Sequence, residues 1–119
     1  MAITIAARKA KGRKLQKMIA EQISQLLGIP HGKDELIQSR EMGQSGVDVK
    51  LIGEARKKFP FSVECKAQEK LAIPEWIKQA KQNQIEGTDW LLFCKRKRED
   101  SFVIMDTETF FNLLKGKQS

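Results

Sequence analysis

The chain has 119 residues, 40% of them apolar, which is enough for one domain with a modest core. Its 22 Lys and Arg residues outnumber 15 Asp and Glu residues, and the net charge of +7 favours a phosphate-rich partner such as nucleic acid. The sequence lacks an apolar run of the roughly 20 residues that a membrane span requires, and it lacks a signal-peptide pattern. We therefore expect an intracellular, cytoplasmic protein that does not bind membranes.

Basic residues occur in three clusters. Residues 1–9 predict a flexible basic arm, and the first 20 residues contain six cations and no acid. The other two clusters are residues 56–58 and 95–98. A solvated surface would explain such clusters as well, so charge alone favours a nucleic-acid partner only modestly.

Periodicity predicts the elements along the chain. Between about residues 11 and 27 apolar residues recur at i, i+3 and i+4, which predicts a first helix ended by Gly28. Pro74 predicts the start of a second helix that ends at Gly87, and Asp106 or Thr107 predicts the cap of a last one. Alternating or continuous apolar residues predict strands over residues 35–40, 47–52, 61–66, 90–94 and 101–105. The order α-β-β-β-α-β-β-α predicts one α/β domain over residues 1–119, with a mixed sheet of about five strands flanked by helices.

Two neighbouring strands bring three charged residues together. If the strands over residues 47–52 and 61–66 form a hairpin, Asp48 lies opposite Glu64, and Lys66 shares the face of Glu64. Two adjacent carboxylates need a counter-ion, and oxygen ligands favour Mg²⁺ or Mn²⁺. Such an ion could polarise a phosphodiester, while Lys66 could orient water or stabilise the developing charge. A salt-bridge cluster on a solvated sheet face explains these three residues equally well.

The same residues carry a family resemblance. Gly46-Val47-Asp48, followed by Glu64-Cys65-Lys66, resembles the signature of the PD-(D/E)xK nucleases, although Val47 replaces the proline of that signature. The superfamily includes restriction endonucleases, archaeal-type Holliday junction resolvases and phage recombination nucleases. The element order over residues 11–96 resembles its restriction-endonuclease-like core. The segment GVDVKLIGEARKKFPFSVECK is similar to small phage-encoded members.

The resemblance implies a metal centre. Asp48, Glu64 and the backbone carbonyl of Cys65 are expected to bind Mg²⁺ or Mn²⁺, and Lys66 is expected to be the catalytic lysine. Gln79 resembles the glutamine that many relatives carry on the helix after the lysine, although a solvated helix residue would look the same.

The acid that resolvase-like relatives carry on the first helix has no clear counterpart here. Gln16 lies four residues after Gly12, where relatives resemble K-G-x-x-x-E, so we expect an amide in its place. Glu21 is the alternative, but at 100° per residue it faces away from the apolar stripe.

Further residues are predicted to contact DNA. Lys11, Arg13 and Lys14 could hold the backbone at the start of the first helix, while Arg40 and Ser45 precede the strand that carries Asp48. A solvated basic arm and an ordinary turn are the competing explanations.

The cysteines and the histidine do not indicate a zinc site. Cys65 and Cys94 occur in apolar segments and are predicted to be reduced core residues. His31 is the only histidine, so a Cys/His zinc site is not indicated.

These observations favour a Mg²⁺-dependent endonuclease that hydrolyses DNA. Because the chain has no room for a separate sequence-reading domain, we expect recognition of DNA shape, such as a branched junction, and a homodimer with two sites. The missing first-helix acid keeps open a nuclease-fold module that binds DNA or another protein without cutting. A small basic structural protein with a salt-bridge face is a third possibility.

Overall fold

The computed structural model describes residues 4–40 and 46–118, which form four helices and five strands. In chain order these elements are α1 (Ile5–Leu27), β1 (Ile37–Ser39), β2 (Val49–Leu51), α2 (Glu54–Lys58), β3 (Phe61–Ala67), α3 (Ile73–Asn83), β4 (Asp89–Lys95), β5 (Phe102–Ile104) and α4 (Thr107–Gln118). The strands form one sheet in the order β1-β2-β3-β4-β5. Among the five strands of the described residues, β3 and β4 are the one parallel pair, so the predicted mixed α/β sheet flanked by helices is confirmed.

Helix α1 starts earlier than the sequence pattern indicated. The prediction placed its start near residue 11 and assigned residues 1–9 to a flexible arm, but residues from Ile5 onward are helical. The Thr4 hydroxyl accepts a hydrogen bond from the Ala7 N–H at 3.1 Å, which caps the helix. The alanine-rich sequence that follows favours the helix even though it has no apolar stripe facing the core, because alanine has the highest helix propensity. At the other end Gly28, with φ 68°, closes the helix as predicted.

The predicted hairpin forms, with an additional helix in its connection. Strands β2 and β3 are antiparallel, and Val49 pairs with Val63. Their short connection contains the five-residue helix α2. Gly53, with φ 56°, turns the chain into this helix, and Ala55 is fully buried beneath the sheet's apolar residues.

The two faces of the sheet carry separate cores. Residues of β2 and β3 such as Val49, Val63 and Cys65 pack against α1. On the other face Leu92 and Cys94 of β4 pack against the Trp76 side of α3. Since Glu64 pairs with Leu92 in the parallel ladder, both side chains are on the α3 face. Glu64, in the middle of β3, therefore lies within reach of α3.

A buried hydroxyl network ends α3 before the predicted Gly87. The helix stops at Asn83, and the Ile85 N–H then donates to Ser62 Oγ at 2.9 Å. Ser62 and Thr88 hydroxyls are 2.6 Å apart, and Thr88 Oγ1 donates to the Ile85 carbonyl at 2.6 Å. These bonds hold the start of β4 and the end of α3 against β3, which positions Asn83 near Glu64.

Two further predictions concern membranes and cysteines. No helix in the part of the chain that the structure describes is long and apolar enough to cross a membrane. Cys65 and Cys94 are both buried and free, as predicted.

Candidate metal centre and nucleic-acid cleft

Three charged residues lie next to one another: Arg40 directly after β1, Asp48 directly before β2 and Glu64 within β3. Continuing the β1–β2 register past Ser39 places Arg40 beside Asp48, and the Arg40 N–H donates to the Asp48 carbonyl at 2.8 Å. Asp48 lies in a bend directly before β2, where its N–H donates to the Val63 carbonyl at 2.8 Å, and its carboxylate is close enough to raise the pKa of Glu64. Backbone hydrogen bonds to both neighbouring segments therefore hold Asp48 between Arg40 and β3, beside Glu64.

Both oxygens of the Asp48 carboxylate have partners. Oδ1 accepts from the Arg40 guanidinium at 2.5 Å, and this ion pair is largely buried. Oδ2 accepts from the Cys65 N–H at 2.8 Å. Asp48 thus bridges β1 and the end of β3, and it is only 4% exposed. A carboxylate oxygen has two lone pairs, so these bonds leave acceptor capacity for a cation.

Glu64 is 2% exposed and lies beside a second negative charge. Its Oε1 accepts a hydrogen bond from the Asn83 side-chain amide at 2.9 Å. Burial, and then the negative charge of Asp48, raise the pKa of Glu64 from 4.5 to about 8, although the Asn83 bond and the charge of Lys66 oppose this shift. Without a cation the protein therefore favours a proton on Glu64 near neutral pH.

Cys65 can contribute its backbone but not its thiol. In a strand the N–H and C=O of one residue point to the same side, so the Cys65 carbonyl faces the side of Asp48. The thiol instead points into the core under α1, where burial raises its pKa well above the usual value.

The donor set fits a hard divalent cation. Asp48, Glu64 and the Cys65 carbonyl supply oxygen only, which suits Mg²⁺ or Mn²⁺. Among the described residues no group of three or more His, Cys, Asp or Glu side chains could hold a metal. Mg²⁺ commonly binds one or two carboxylates and completes its shell with water and substrate phosphate, so two carboxylates suffice.

An open cleft of about 240 Å³ surrounds these residues. Seven of the predicted residues line it: Gln16, Arg40, Asp48, Glu64, Cys65, Lys66 and Gln79. Gln16 is 6% exposed and faces the cleft, whereas Glu21 is exposed on α1 and does not line it. The structure therefore places Gln16 where the first-helix acid was sought. Gln79 lies one helical turn before Asn83 and lines the same cleft.

The remaining predicted DNA contacts are dispersed. Lys11 and Lys14 line a separate groove beside the cleft, which includes residues 95–98. Arg13 is exposed on another side of α1 and lines neither depression. Ser45 lies outside the described residues.

Three residues near the site were missed. Arg8 and Lys9 line the cleft from the first turn of α1, which the prediction had treated as an arm. Asn83 holds Glu64 and was also missed. The sequence did contain a signal for Asn83: it continues the buried stripe of Trp76 and Ala80 at helical spacing. A polar residue in such a stripe needs a hydrogen-bond partner, which here is Glu64.

A mixed five-stranded sheet with a carboxylate pair and a lysine at the end of a central hairpin defines the restriction-endonuclease-like class of fold. Residues 7–119 match the family described as "Phage putative PDDEXK endonuclease", and the chain belongs to this family. No curated protein and no solved structure gave a significant match.

Proposed function

We propose that the protein is a Mg²⁺- or Mn²⁺-dependent endonuclease that hydrolyses phosphodiester bonds of branched or otherwise structured DNA. Its family is one of phage endonucleases, which makes DNA the expected substrate. The observation that carries the proposal is the buried carboxylate pair of Asp48 and Glu64, which lies in an open cleft lined with Lys and Arg residues. A buried like-charge pair costs stability, and a cation would offset that cost.

Asp48, Glu64 and the Cys65 carbonyl would hold the cation. A bound divalent cation supplies Lewis acidity, which polarises the scissile phosphodiester and makes water a better nucleophile. Ionised Glu64 is required for this role, and the Asn83 amide assists by donating a hydrogen bond to the Glu64 carboxylate. The Arg40 guanidinium and the Cys65 N–H each bind one oxygen of Asp48 and so fix the orientation of its carboxylate.

The other residues of the cleft would act on substrate. Lys66 lies on the face of Glu64, two residues along β3, where its ammonium can orient the attacking water or stabilise charge on the phosphorane. Arg8 and Lys9 line the opposite wall and can bind the phosphates that flank the scissile one. The amides of Gln16 and Gln79 can donate hydrogen bonds to phosphate or water.

Selectivity for DNA structure and a homodimer complete the proposal. The cleft presents cations and amides, which contact backbone and carry no base sequence information by themselves. Large apolar side chains on β5 and α4 are 40–54% exposed, namely Phe102, Val103, Phe110, Phe111, Leu113 and Leu114. An exposed apolar patch of this kind supports association of two copies, which would present two cutting sites to a branched substrate.

A second candidate is a nuclease-fold module that binds DNA without efficient cleavage. Two observations favour it: the buried polar residue that α1 presents to the cleft is the amide Gln16 and not an acid, and Arg40 already forms an ion pair with Asp48. An arginine that occupies the position of a counter-ion could compete with the cation.

A cleavage panel tests the proposal. The protein is incubated with supercoiled plasmid, linear duplex, flap and four-way junction in Mg²⁺, in Mn²⁺ and in EDTA. We expect cleavage only with a divalent cation, and a loss of about a hundredfold or more in Asp48→Ala and Glu64→Ala while DNA binding persists. Glu86→Ala, which removes an exposed acid outside the cleft, is the matched control. Binding without nicks on any substrate in either cation would instead support the second candidate.

A further inference from the structure

A second basic depression lies beside the cleft. We call residues 95–98 the basic turn, and the space between this turn and α1 the turn groove. The groove has a volume of about 230 Å³ and is lined by six cationic side chains, Lys11, Lys14 and the four residues of the basic turn. Among the described residues that line the groove, one is acidic, Glu69. The apolar part of its surface is formed by Leu15, Met18 and Ala67.

Parallel strand pairing brings the turn groove next to the proposed metal centre. Strands β3 and β4 run in the same direction, so their carboxyl ends lie at one edge of the sheet, and Ala67 pairs with Lys95. Ala67 lines both the turn groove and the cleft that contains Glu64. A polymer lying along this edge would therefore pass directly from one depression into the other.

Hydrogen bonds and one ion pair hold the basic turn in place, and they leave the charged groups of Lys97 and Arg98 available to bind a ligand. Lys95 Nζ donates to the Glu99 carbonyl at 2.5 Å, and Arg96 pairs with Glu99 at 3.1 Å. The Lys97 N–H donates to a Glu69 carboxylate oxygen at 2.6 Å. Ion pairs among the described residues involve only Arg40 and Arg96 as cations. The charged groups of Lys97 and Arg98 thus face solvent without a carboxylate partner.

Arg98 adopts a conformation that glycine would adopt more easily. Its φ is 64°, and it is the one described residue other than glycine with positive φ. A left-handed conformation is sterically unfavourable for a residue with a Cβ. Local backbone preference therefore does not account for an arginine at this position.

We propose that the turn groove is a second site that binds the phosphate backbone of the nucleic-acid substrate, next to the cleft that holds the scissile phosphate. That this nucleic acid is DNA rests on the proposed function. Six clustered cations repel one another, and a polyanion relieves this repulsion with release of counter-ions. The apolar part of the groove suits deoxyribose, and the cations at its rim suit the adjoining phosphates. The basic turn would then fix the register of the substrate relative to Glu64.

A charge-matched pair of double variants tests this proposal. Lys97→Ala/Arg98→Gly removes two cations from the groove, keeps the Lys97 N–H and gives the left-handed position to glycine. Lys57→Ala/Lys58→Ala is the control, because it removes two exposed cations of α2, at the opposite end of β3. Fluorescence anisotropy follows binding of a fluorescein-labelled DNA duplex over a series of KCl concentrations in EDTA. Hydrolysis cannot contribute under these conditions.

The expected result separates the two double variants. Lys97→Ala/Arg98→Gly should bind about tenfold more weakly at low salt, and its plot of log Kd against log salt should be shallower by about 1.8. The control should stay within about twofold of wild type with an unchanged slope. A second variant, Lys11→Ala/Lys14→Ala, should reproduce the loss from the opposite wall.

Equal weakening by groove and control variants would overturn the proposal, because only net charge would then matter. Unchanged binding by both groove variants would overturn it as well. The outcome does not depend on cleavage: a protein that never cuts DNA can still show the selective binding loss. Conversely, if the protein is a nuclease whose turn groove does not contact DNA, all these variants should cut DNA normally and bind it equally well.

Discussion

Replacing Glu64 by Gln is expected to stabilise the protein at neutral pH in the absence of divalent cations. Glu64 is 2% exposed and lies beside Asp48, so its ionisation is unfavourable in the folded state. Glutamine has nearly the same shape, and its carbonyl can still accept the hydrogen bond from Asn83. The variant therefore keeps the packing and removes the buried charge.

The magnitude follows from proton linkage. The pKa of Glu64 is about 8 in the folded protein and 4.5 when unfolded, so the folded state binds the proton more tightly. Stability is therefore greatest below about pH 4.5 and is lost as pH rises toward about 8. Between about pH 5 and pH 7 the wild type should lose about 2–3 kcal/mol that the Glu64→Gln variant keeps, and above about pH 8 the full difference approaches about 5 kcal/mol.

Urea unfolding measures this difference directly. Trp76 and Trp90 are buried in the core beside α3, so their fluorescence reports unfolding. Curves are recorded in EDTA at about pH 5, 7 and 8.5, and Glu86→Gln serves as the exposed control with no expected trend. A difference between Glu64→Gln and wild type that stayed constant across these pH values would refute the reasoning. So would a variant that is less stable at every pH.

Divalent cations should narrow the stability difference between the two proteins. A cation that binds only the folded protein adds stability by mass action, by about 2.7 kcal/mol at a hundred times its Kd. Since the Glu64→Gln variant lacks the second carboxylate, Mg²⁺ should raise the unfolding midpoint of wild type at about pH 8 and leave the variant nearly unchanged. Equal responses of the two proteins would place the cation elsewhere.

Two further predictions concern the second contact of Glu64 and the exposed apolar patch. Because the Asn83 amide favours ionised Glu64, Asn83→Ala should raise the pKa of Glu64 further and shift the rising limb of the pH–cleavage profile to higher pH at limiting Mg²⁺; an unshifted profile would contradict this. Phe111, 54% exposed on α4, should lie in the proposed dimer contact, so Phe111→Glu should reduce the molar mass measured by light scattering to that of a monomer. The control Lys57→Glu changes an exposed lysine of α2, outside the apolar patch, and should leave the molar mass unchanged. A wild-type protein already monomeric at micromolar concentration would exclude that contact.

Local sequence patterns were sufficient for the centre of the site. Strand alternation sets which residues share a face, and a short connection between two strands favours antiparallel pairing. Asp48, Glu64 and Lys66 could therefore be placed together from the sequence alone. The helical period likewise separated Gln16 from Glu21, and the structure puts only the former in the cleft.

Contacts that depend on how separate elements pack were beyond such patterns. The ion pair of Arg40 with Asp48 depends on the register of β1, a three-residue strand with little sequence signal. The bond from Asn83 to Glu64 depends on how far α3 continues and how the Ser62 network anchors its end. The helical start of α1 was missed because alanine residues form helix without an apolar stripe to reveal it.

The basic clusters show most clearly what each level determines. Composition and spacing determined that the protein is basic, that its cations are clustered and that two carboxylates share a strand hairpin. By sequence, residues 56–58 and 95–98 are equivalent. Tertiary structure separates them, because β3 and β4 are parallel and bring residues 95–98 to the edge that holds Glu64, whereas α2 lies at the other end of β3. Strand direction is a property of the whole sheet, so only the folded chain could decide which cluster lies beside the site.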